Sequence, residues 1–314
     1  MNQQPAFTSL FLSSAFTRQY LKNSYENRHI NKPAEKAYQN SYACVYYVEM
    51  GNQYFQQGQK APLTIQPVLL FYGLSHWLKA ALLTVDPDYP ATTQVLAHGL
   101  SARKKKKQGY QFLSDDVRIQ KEGFFPYLSE KLFHVKQISG EKVKMRYLLL
   151  SLPEMQSLFK TVFKESGLQQ LTPETASSFT LPLDAFSDWP DTLNTWVRQL
   201  STDINGTLSC RKEENMLYMT LSSLPSQGAC FFRQGIDGSY YAPVIQPLFN
   251  MTYPELLVHY MLLYQLSMIC RYEIEWWGEL NYTFASNDLP VIKEFLNITQ
   301  LKSKQLLETL FFGE

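Results

Sequence analysis

The order of the hydrophobic periodicities along the chain is the feature that most constrains its fold. Apolar residues recur at intervals of three and four from about Ala6 to Val85 and again from Tyr253 onward, which is the spacing of one face of a helix. Between Gly109 and Asn250, short apolar runs alternate with polar residues and are separated by polar turns. Helices that flank short antiparallel strands are typical of an α+β fold and disfavour parallel βαβ winding.

We therefore predict an α+β fold built from three stretches of chain. Residues 1–108 are the N-terminal part of a helical bundle, residues 109–250 are a predominantly antiparallel, β-rich insertion, and residues 251–314 are the C-terminal part of the bundle. The simplest packing puts the first and last thirds together, because each has an apolar helical face to bury.

Proline and glycine set the bounds of the predicted helices. Pro33 opens one helix, since proline is favoured in a first turn, and we expect Gly51 and Gly58 to fray its end. The next helix is predicted over residues 68–84, where a proline-rich segment stops it. The helices of the last third are predicted over residues 253–277 and from a cap at 286–288 to about 312.

The insertion is predicted to contain hairpins and one short helix. The expected strand pairs are 110–113 with 117–120, 133–138 with 142–150, 207–211 with 216–221, and 230–233 with 240–244. The short helix is expected over residues 153–166.

Two apolar segments, residues 62–85 and 253–270, are long enough to suggest a membrane span. Each contains histidine or charged side chains, and neither has about 18 uninterrupted apolar residues. The first residues also lack the basic start and cleavage site of a signal peptide. We expect both segments to be buried helices of a soluble, cytoplasmic protein that does not engage a membrane.

Composition excludes several classes of function. Lysine and arginine number 29 and the acidic residues 28, so a protein that coats nucleic acid along its whole surface is excluded, although a local basic patch is not. The four cysteines have no metal-ligand spacing and suit reduced thiols, so no metal is expected. Walker, dinucleotide-binding, nucleophile-elbow and zincin motifs are missing from the sequence, so neither a cofactor nor a catalytic residue is assigned.

The most unusual segment is a run of five cations that begins at Arg103, Lys104 and Lys105. Such a run is either a solvated loop or a surface that concentrates a polyphosphate or RNA backbone. His98 precedes it, and Gly99 permits a tight turn at the root of the loop. His98 is therefore either a ligand contact or a residue that stabilises the turn.

Four further residues are candidates for a binding site. Tyr72 and His76 lie one turn apart on a largely apolar helix, where a satisfied core histidine is the simpler interpretation. Arg271 ends a long apolar helix and either clamps an anion or pairs with Glu275 one turn later. Trp276 either stacks on a base or wedges two helices together. We expect His98, Arg103 and Arg271 to share one anion-binding cleft, with Tyr72 or Trp276 as the stacking face.

Several short segments, in this order along the chain, resemble the YaaC family of Bacilli. They are Tyr72–Ala80, His98–Leu100, Arg271–Tyr272 with Trp276 or Trp277, and Ser286–Asp288 before Phe295–Leu296. The resemblance covers essentially the whole chain. It implies a link to guanine nucleotide supply, because the gene of that family commonly lies next to that of IMP dehydrogenase.

The helical part is also similar to HEPN-like bundles, many of which are ribonucleases or nucleotide-binding modules. HEPN ribonucleases place a histidine four to six residues after an arginine on one helix, whereas here His98 precedes Arg103. This reversed order disfavours RNA cleavage of that kind and leaves a non-catalytic, ligand-binding derivative open.

Three functions follow as expectations. The leading one is a cytoplasmic, non-enzymatic regulator of purine nucleotide metabolism that binds a purine nucleotide or an enzyme such as IMP dehydrogenase. The second is a divergent nuclease or nucleotide hydrolase that uses His98 and the adjacent basic run. The third is a structural interaction protein whose exposed aromatic residues form a homodimer. RNA is a less favoured partner than a nucleotide.

Overall fold

The computed structural model of this chain describes residues 6–102, 110–186, 193–198, 208–222, 232–249, 251, 253–284 and 286–313. The helices are α1 (Phe7–Leu10), α2 (Ser14–Asn27), α3 (Pro33–Lys60), α4 (Gln66–Val85), α5 (Phe124–Phe133), α6 (Met145–Leu150), α7 (Gln156–Phe163), α8 (Gln246–Phe249), α9 (Glu255–Tyr272), α10 (Ile274–Thr283) and α11 (Asp288–Phe312). A further turn of helix, left unnumbered, covers residues 193–198.

The strands of the described residues are short and form three small sheets. They are β1 (Leu100–Ala102), β2 (Asp116–Ile119), β3 (Lys142–Lys144), β4 (Leu168–Gln170), β5 (Thr172–Pro173), β6 (Ser178–Pro182), β7 (Leu208–Glu213), β8 (Met216–Leu221), β9 (Arg233–Gln234) and β10 (Tyr240–Pro243). The sheet orders are β1-β2-β3, β4-β10-β9 and β5-β6-β8-β7, with antiparallel pairing. With helices of both ends packed together, this is the predicted α+β fold.

The chain divides into two compact units. The first contains Met1–Gln111, Asp115–Val143 and His259–Glu314, and the second contains Phe112–Ser114 and Lys144–Val258. The first unit therefore includes residues 115–143, which the sequence-based division assigned to the insertion.

Glycines allow α3 and α4 of the first unit to pack closely. A Cβ atom on Gly51 would lie 2.2 Å from the Trp77 indole, and one on Gly58 would lie 2.8 Å from the Leu70 side chain. Both glycines are buried, and α3 continues to Lys60. The expectation that these glycines fray the helix is therefore wrong, because they serve the contact between the two helices.

The second unit has its own apolar core under the antiparallel strands. Phe179, Leu217 and Trp196 are nearly or fully buried there, and the Trp196 indole N–H donates to the Pro243 carbonyl over 2.6 Å. The register pairs Ser178 with Thr220 across β6 and β8. The hairpin expected over 207–221 is confirmed as β7 and β8, and β9 pairs with β10 as predicted.

Three predicted strands are wrong. Residues 112–114 form a turn of 3-10 helix, and α5 ends at Phe133, after which residues 134–138 form no strand. The strand expected over 142–150 stops at Lys144 and becomes α6, which contains Leu148–Leu150. A short apolar run has no decisive periodicity, and leucine is a strong helix former.

Among the described residues, one helix is long and apolar enough to cross a membrane. It is α4, whose mean hydropathy reaches 1.5 over its most apolar window. Within that window, 67% is buried inside the protein, as in the core helix of a soluble protein.

Candidate functional site

His98 is held by backbone contacts at the start of α5. Gly99 adopts a φ of +74°, and a Cβ atom there would lie 2.5 Å from the Pro126 ring. The N–H of Phe125 donates to the His98 carbonyl over 3.1 Å. Only glycine fits this close turn, which leads from His98 directly into β1.

The His98 imidazole is half-buried among aromatic rings. Its centroid lies 5.0 Å from that of Phe71, 5.7 Å from that of Tyr264 and 6.4 Å from that of Tyr72. Burial lowers the pKa of His98, and the positive charges of Arg271 and Lys79 lower it further. The ring is therefore neutral at pH 7.

His76 lies one turn after Tyr72 on α4, and its ring stacks on two tyrosines of α3. The ring centroids of Tyr47 and Tyr54 lie 6.0 Å and 5.6 Å from that of His76. Its Nδ1 atom is buried and has no hydrogen-bond partner in the described part of the chain. A satisfied core histidine is therefore the wrong interpretation, because this half-buried ring retains an unused hydrogen-bonding position.

Arg271, at the end of α9, has no carboxylate partner among the residues that the structure describes. Its Nε donates to the Ser267 carbonyl over 2.9 Å, and its guanidinium lies 5.2 Å from the ring centroid of Tyr272. The ion pair with Glu275, one of the two sequence-based interpretations, is not formed. Arg271 instead lies close enough to His98 for its charge to lower the histidine pKa.

Lys79 belongs to the same group, although it was not among the predicted site residues. It follows His76 by three positions on α4, and its Nζ lies 5.7 Å from the ring centroid of Tyr47 and 6.0 Å from that of Phe124. Burial lowers the pKa of Lys79. The spacing of Tyr72, His76 and Lys79 on one helical face is the signal that could have identified it.

We call this group the aromatic–cation patch; it consists of Tyr47, Tyr54, Tyr72, His76, Lys79, His98, Tyr264 and Arg271, all within the first unit. Tyr54 links the rings around His76 to the rings around His98. Its ring centroid lies 5.6 Å from that of His76 and 5.8 Å from that of Tyr72, which in turn contacts His98. Side chains of the patch other than Tyr264 are half-buried and leave part of their surface accessible. The patch therefore combines aromatic faces, two neutral imidazoles and two cations that lack an ion-pair partner in the described chain.

Of the remaining predicted residues, the structure describes Trp276, which is not in the patch. The Trp276 indole N–H donates to the Tyr110 carbonyl over 3.2 Å, and the two rings meet edge to face at 4.5 Å. Trp276 thus packs on Tyr110, and these contacts show neither the base stack nor the wedge between two helices that the sequence suggested. Arg103, Lys104 and Lys105 lie outside the described residues, directly after β1.

A cavity of about 720 Å³ is lined by none of the predicted site residues that the structure describes. The ends of α2, α4, α5 and α11 line it, together with Arg28 and Lys131. Helix C-termini carry partial negative charge, which disfavours an anion there, and Lys131 already lies 3.9 Å from the Asp86 carboxylate. We therefore favour the patch over the cavity as an anion-binding site.

The chemistry of the patch suits a planar anion. Aromatic rings offer stacking faces, and arginine and lysine bind phosphate through charge-assisted hydrogen bonds. In the described residues, no group of three or more histidine, cysteine or acidic side chains could hold a metal ion.

Comparison with known proteins identifies the family. A family model described as YaaC-like protein matches residues 9–311, a span that contains the entire patch. The chain belongs to the YaaC-like family. No curated protein and no solved structure matches it, and the HEPN-like resemblance is not shown by any comparison.

Proposed function

We propose that this YaaC-like protein is a cytoplasmic, non-enzymatic regulator that binds a purine nucleotide at the aromatic–cation patch. The observation that carries the proposal is the placement of Arg271 and Lys79. Both are half-buried cations without an ion-pair partner in the described chain, and both lower the pKa of His98. A nucleotide supplies the anion and the planar base that such an arrangement accommodates.

The first test is titration calorimetry with GMP, IMP, AMP and ribose 5-phosphate. A charge-assisted contact contributes about 1.5–3 kcal/mol, so Arg271→Ala should weaken nucleotide binding roughly tenfold or more. Arg18→Ala is the matched control, because Arg18 is exposed and outside the patch. Arg271→Ala with unchanged affinity and a lower melting temperature would show that Arg271 is structural, and equal binding of ribose 5-phosphate would exclude recognition of the base.

IMP dehydrogenase is the partner enzyme that the gene neighbourhood of the family favours. Sedimentation of this protein mixed with purified IMP dehydrogenase, with and without GMP, tests whether the regulator acts through a complex. If the two proteins do not sediment together and no nucleotide binds, the regulatory proposal is wrong.

The neutral state of His98 also suits a general base, which is the chemistry of the alternative nuclease or nucleotide hydrolase. Incubation of the purified protein with RNA and with nucleoside triphosphates separates the two functions. Turnover that His98→Ala abolishes would establish the enzyme, whereas binding without turnover supports the regulator.

A further inference from the structure

Helix α3 carries a seam of six exposed side chains. They are spaced alternately by four and three residues, the heptad pattern of helices that pair with another helix: Glu35, Gln39, Tyr42, Tyr46, Glu49 and Gln53. Tyr42 and Tyr46 leave 55% and 59% of their surface accessible. Tyr38 and Met50 flank this exposed seam and are 63% and 39% accessible. Large side chains exposed in a continuous row are typical of a protein interface.

The opposite face of α3 is occupied within the first unit. Ala37, Cys44 and Val48 are fully buried there, and Gly51 contacts Trp77 of α4. The exposed seam is therefore not needed for packing inside the unit.

The seam is symmetric about position 44. In an antiparallel pair of α3 helices related by a two-fold axis at that position, each residue faces the one at the same distance on the other side. Tyr42 then faces Tyr46 of the other copy, while Ala43 lies on one flank of this pair near its own counterpart and Val45 lies on the other flank. A two-fold interface requires a surface that is complementary to itself in this way.

The polar residues of the seam follow the same symmetry. In the antiparallel pair, Glu35 faces Gln53 and Gln39 faces Glu49, so every carboxylate meets an amide that can donate a hydrogen bond. Parallel pairing would instead place each glutamate opposite its own copy, which like-charge repulsion disfavours. Avoidance of facing carboxylates therefore favours the antiparallel orientation.

The available area fits a weak, reversible dimer. Three tyrosines that are each more than half exposed offer on the order of 300–400 Å² per copy. Met50, Ala43 and the polar residues add to this, but the total stays below the roughly 800 Å² per partner of a standard stable interface.

We propose that the exposed seam of α3 is a homodimer interface, in which two copies of this chain pack antiparallel about a two-fold axis at position 44. The proposal does not depend on nucleotide binding. Tyrosine and methionine are enriched at protein interfaces, and the small Ala43 lets the two helix axes approach to about 8–10 Å. The expected dissociation constant is on the order of 10 μM.

Sedimentation velocity of the full chain from about 1 to 200 μM measures the dimer. The double variant Tyr42→Glu/Tyr46→Glu should remain monomeric over this range, because it places four carboxylates at the centre of the interface. Tyr282→Glu is the matched control, since Tyr282 is 75% exposed on α10 and should not affect association. A wild-type protein that stays monomeric, or a double variant that dimerises like the wild type, would overturn the proposal.

A charge exchange tests the register. Gln39→Glu places two carboxylates opposite each other at two equivalent positions of the dimer, and we expect at least tenfold weaker association. Adding Glu49→Lys to this variant should restore the dissociation constant to within about threefold of the wild type, because opposite charges then face each other. Unchanged association of Gln39→Glu, or failure of the second substitution to restore it, would contradict the antiparallel register.

Discussion

At the scale of single residues, His76 shows how the surroundings fix a charge state. Burial lowers its pKa to about 4, and the charge of Lys79 contributes to this shift. Histidine in an unfolded chain has a pKa of about 6.5, so the unfolded protein takes up this proton more readily than the folded one. The ring therefore enters the patch as an uncharged group with a free hydrogen-bonding position.

This difference predicts a dependence of stability on pH. Because the pKa of His76 is lower in the folded protein than in the unfolded chain, its contribution to the free energy of unfolding is fully present above about pH 6.5. That contribution is lost as the pH falls to about 4. Because solvent screens the half-exposed ring, we expect this loss of unfolding free energy to be roughly 1–2 kcal/mol. The free energy of unfolding of wild type relative to His76→Asn should fall by that amount between pH 7 and pH 4.

The titration of His76 can also be followed by NMR in the intact protein. In Lys79→Gln the pKa of His76 should rise towards 6.5, because one of the two causes of the shift is removed. A His76 that titrates near 6.5 in the wild type would contradict the proposed environment.

The sequence revealed these residues only in part. Tyr72 and His76 could be placed on one helical face from their spacing, and Lys79 follows from the same pattern. The proximity of His98 to Arg271 had to be assumed, because it depends on how α4, α5 and α9 pack. Trp276 was a candidate by residue type alone, and its indole N–H donates a hydrogen bond to the Tyr110 carbonyl.

At the scale of elements, long segments were predictable and short ones were not. The helices that became α4 and α11 have sustained apolar periodicity and clear proline or polar boundaries. In contrast, residues 110–113 and 142–150 are too short for their periodicity to separate strand from helix. The prediction that Gly51 and Gly58 fray α3 was wrong for another reason. The role of these glycines depends on side chains of a different helix, α4.

The C-terminal ends of α2, α4, α5 and α11 line the cavity, together with Arg28 and Lys131. Tyr25 and Ser24 donate hydrogen bonds of 2.7 Å to the carbonyls of Leu83 and Thr84 at the end of α4. The partial negative charges of the helix ends add together at this place. Nearby cations are therefore expected to stabilise the unit.

Lys131→Glu tests this expectation. It reverses a charge in the last turn of α5 and removes the 3.9 Å ion pair with Asp86, so it should lower the free energy of unfolding by about 1–2 kcal/mol. The loss should shrink at high salt, because the interaction is partly screened. Lys293→Glu is the control; Lys293 is exposed near the start of α11, far along the chain from the C-terminus of that helix, and the change should stay within about 0.5 kcal/mol. Equal effects of the two substitutions in denaturant titrations would contradict the prediction.

At the scale of the whole molecule, distant parts of the sequence share one core. Phe311 near the end of α11 lies 5.1 Å from Phe7 and 4.7 Å from Phe11 between ring centroids. The hydroxyl of Tyr20 on α2 donates to the Phe311 carbonyl. The predicted packing of the first and last thirds is confirmed, and it was predictable because each third has an apolar face that it cannot bury alone.

Phe311→Ala should therefore destabilise helices at both ends of the chain. Removing a buried phenylalanine costs about 3–5 kcal/mol, and the cavity it leaves lies against Phe7 and Phe11. Hydrogen exchange should accelerate in α2 as well as in α11, since the two helices lose a shared contact. Phe284→Ala is the matched control, because Phe284 is 69% exposed and its loss should change stability by less than about 0.5 kcal/mol. Faster exchange confined to α11 would show that the aromatic contacts do not couple the two ends.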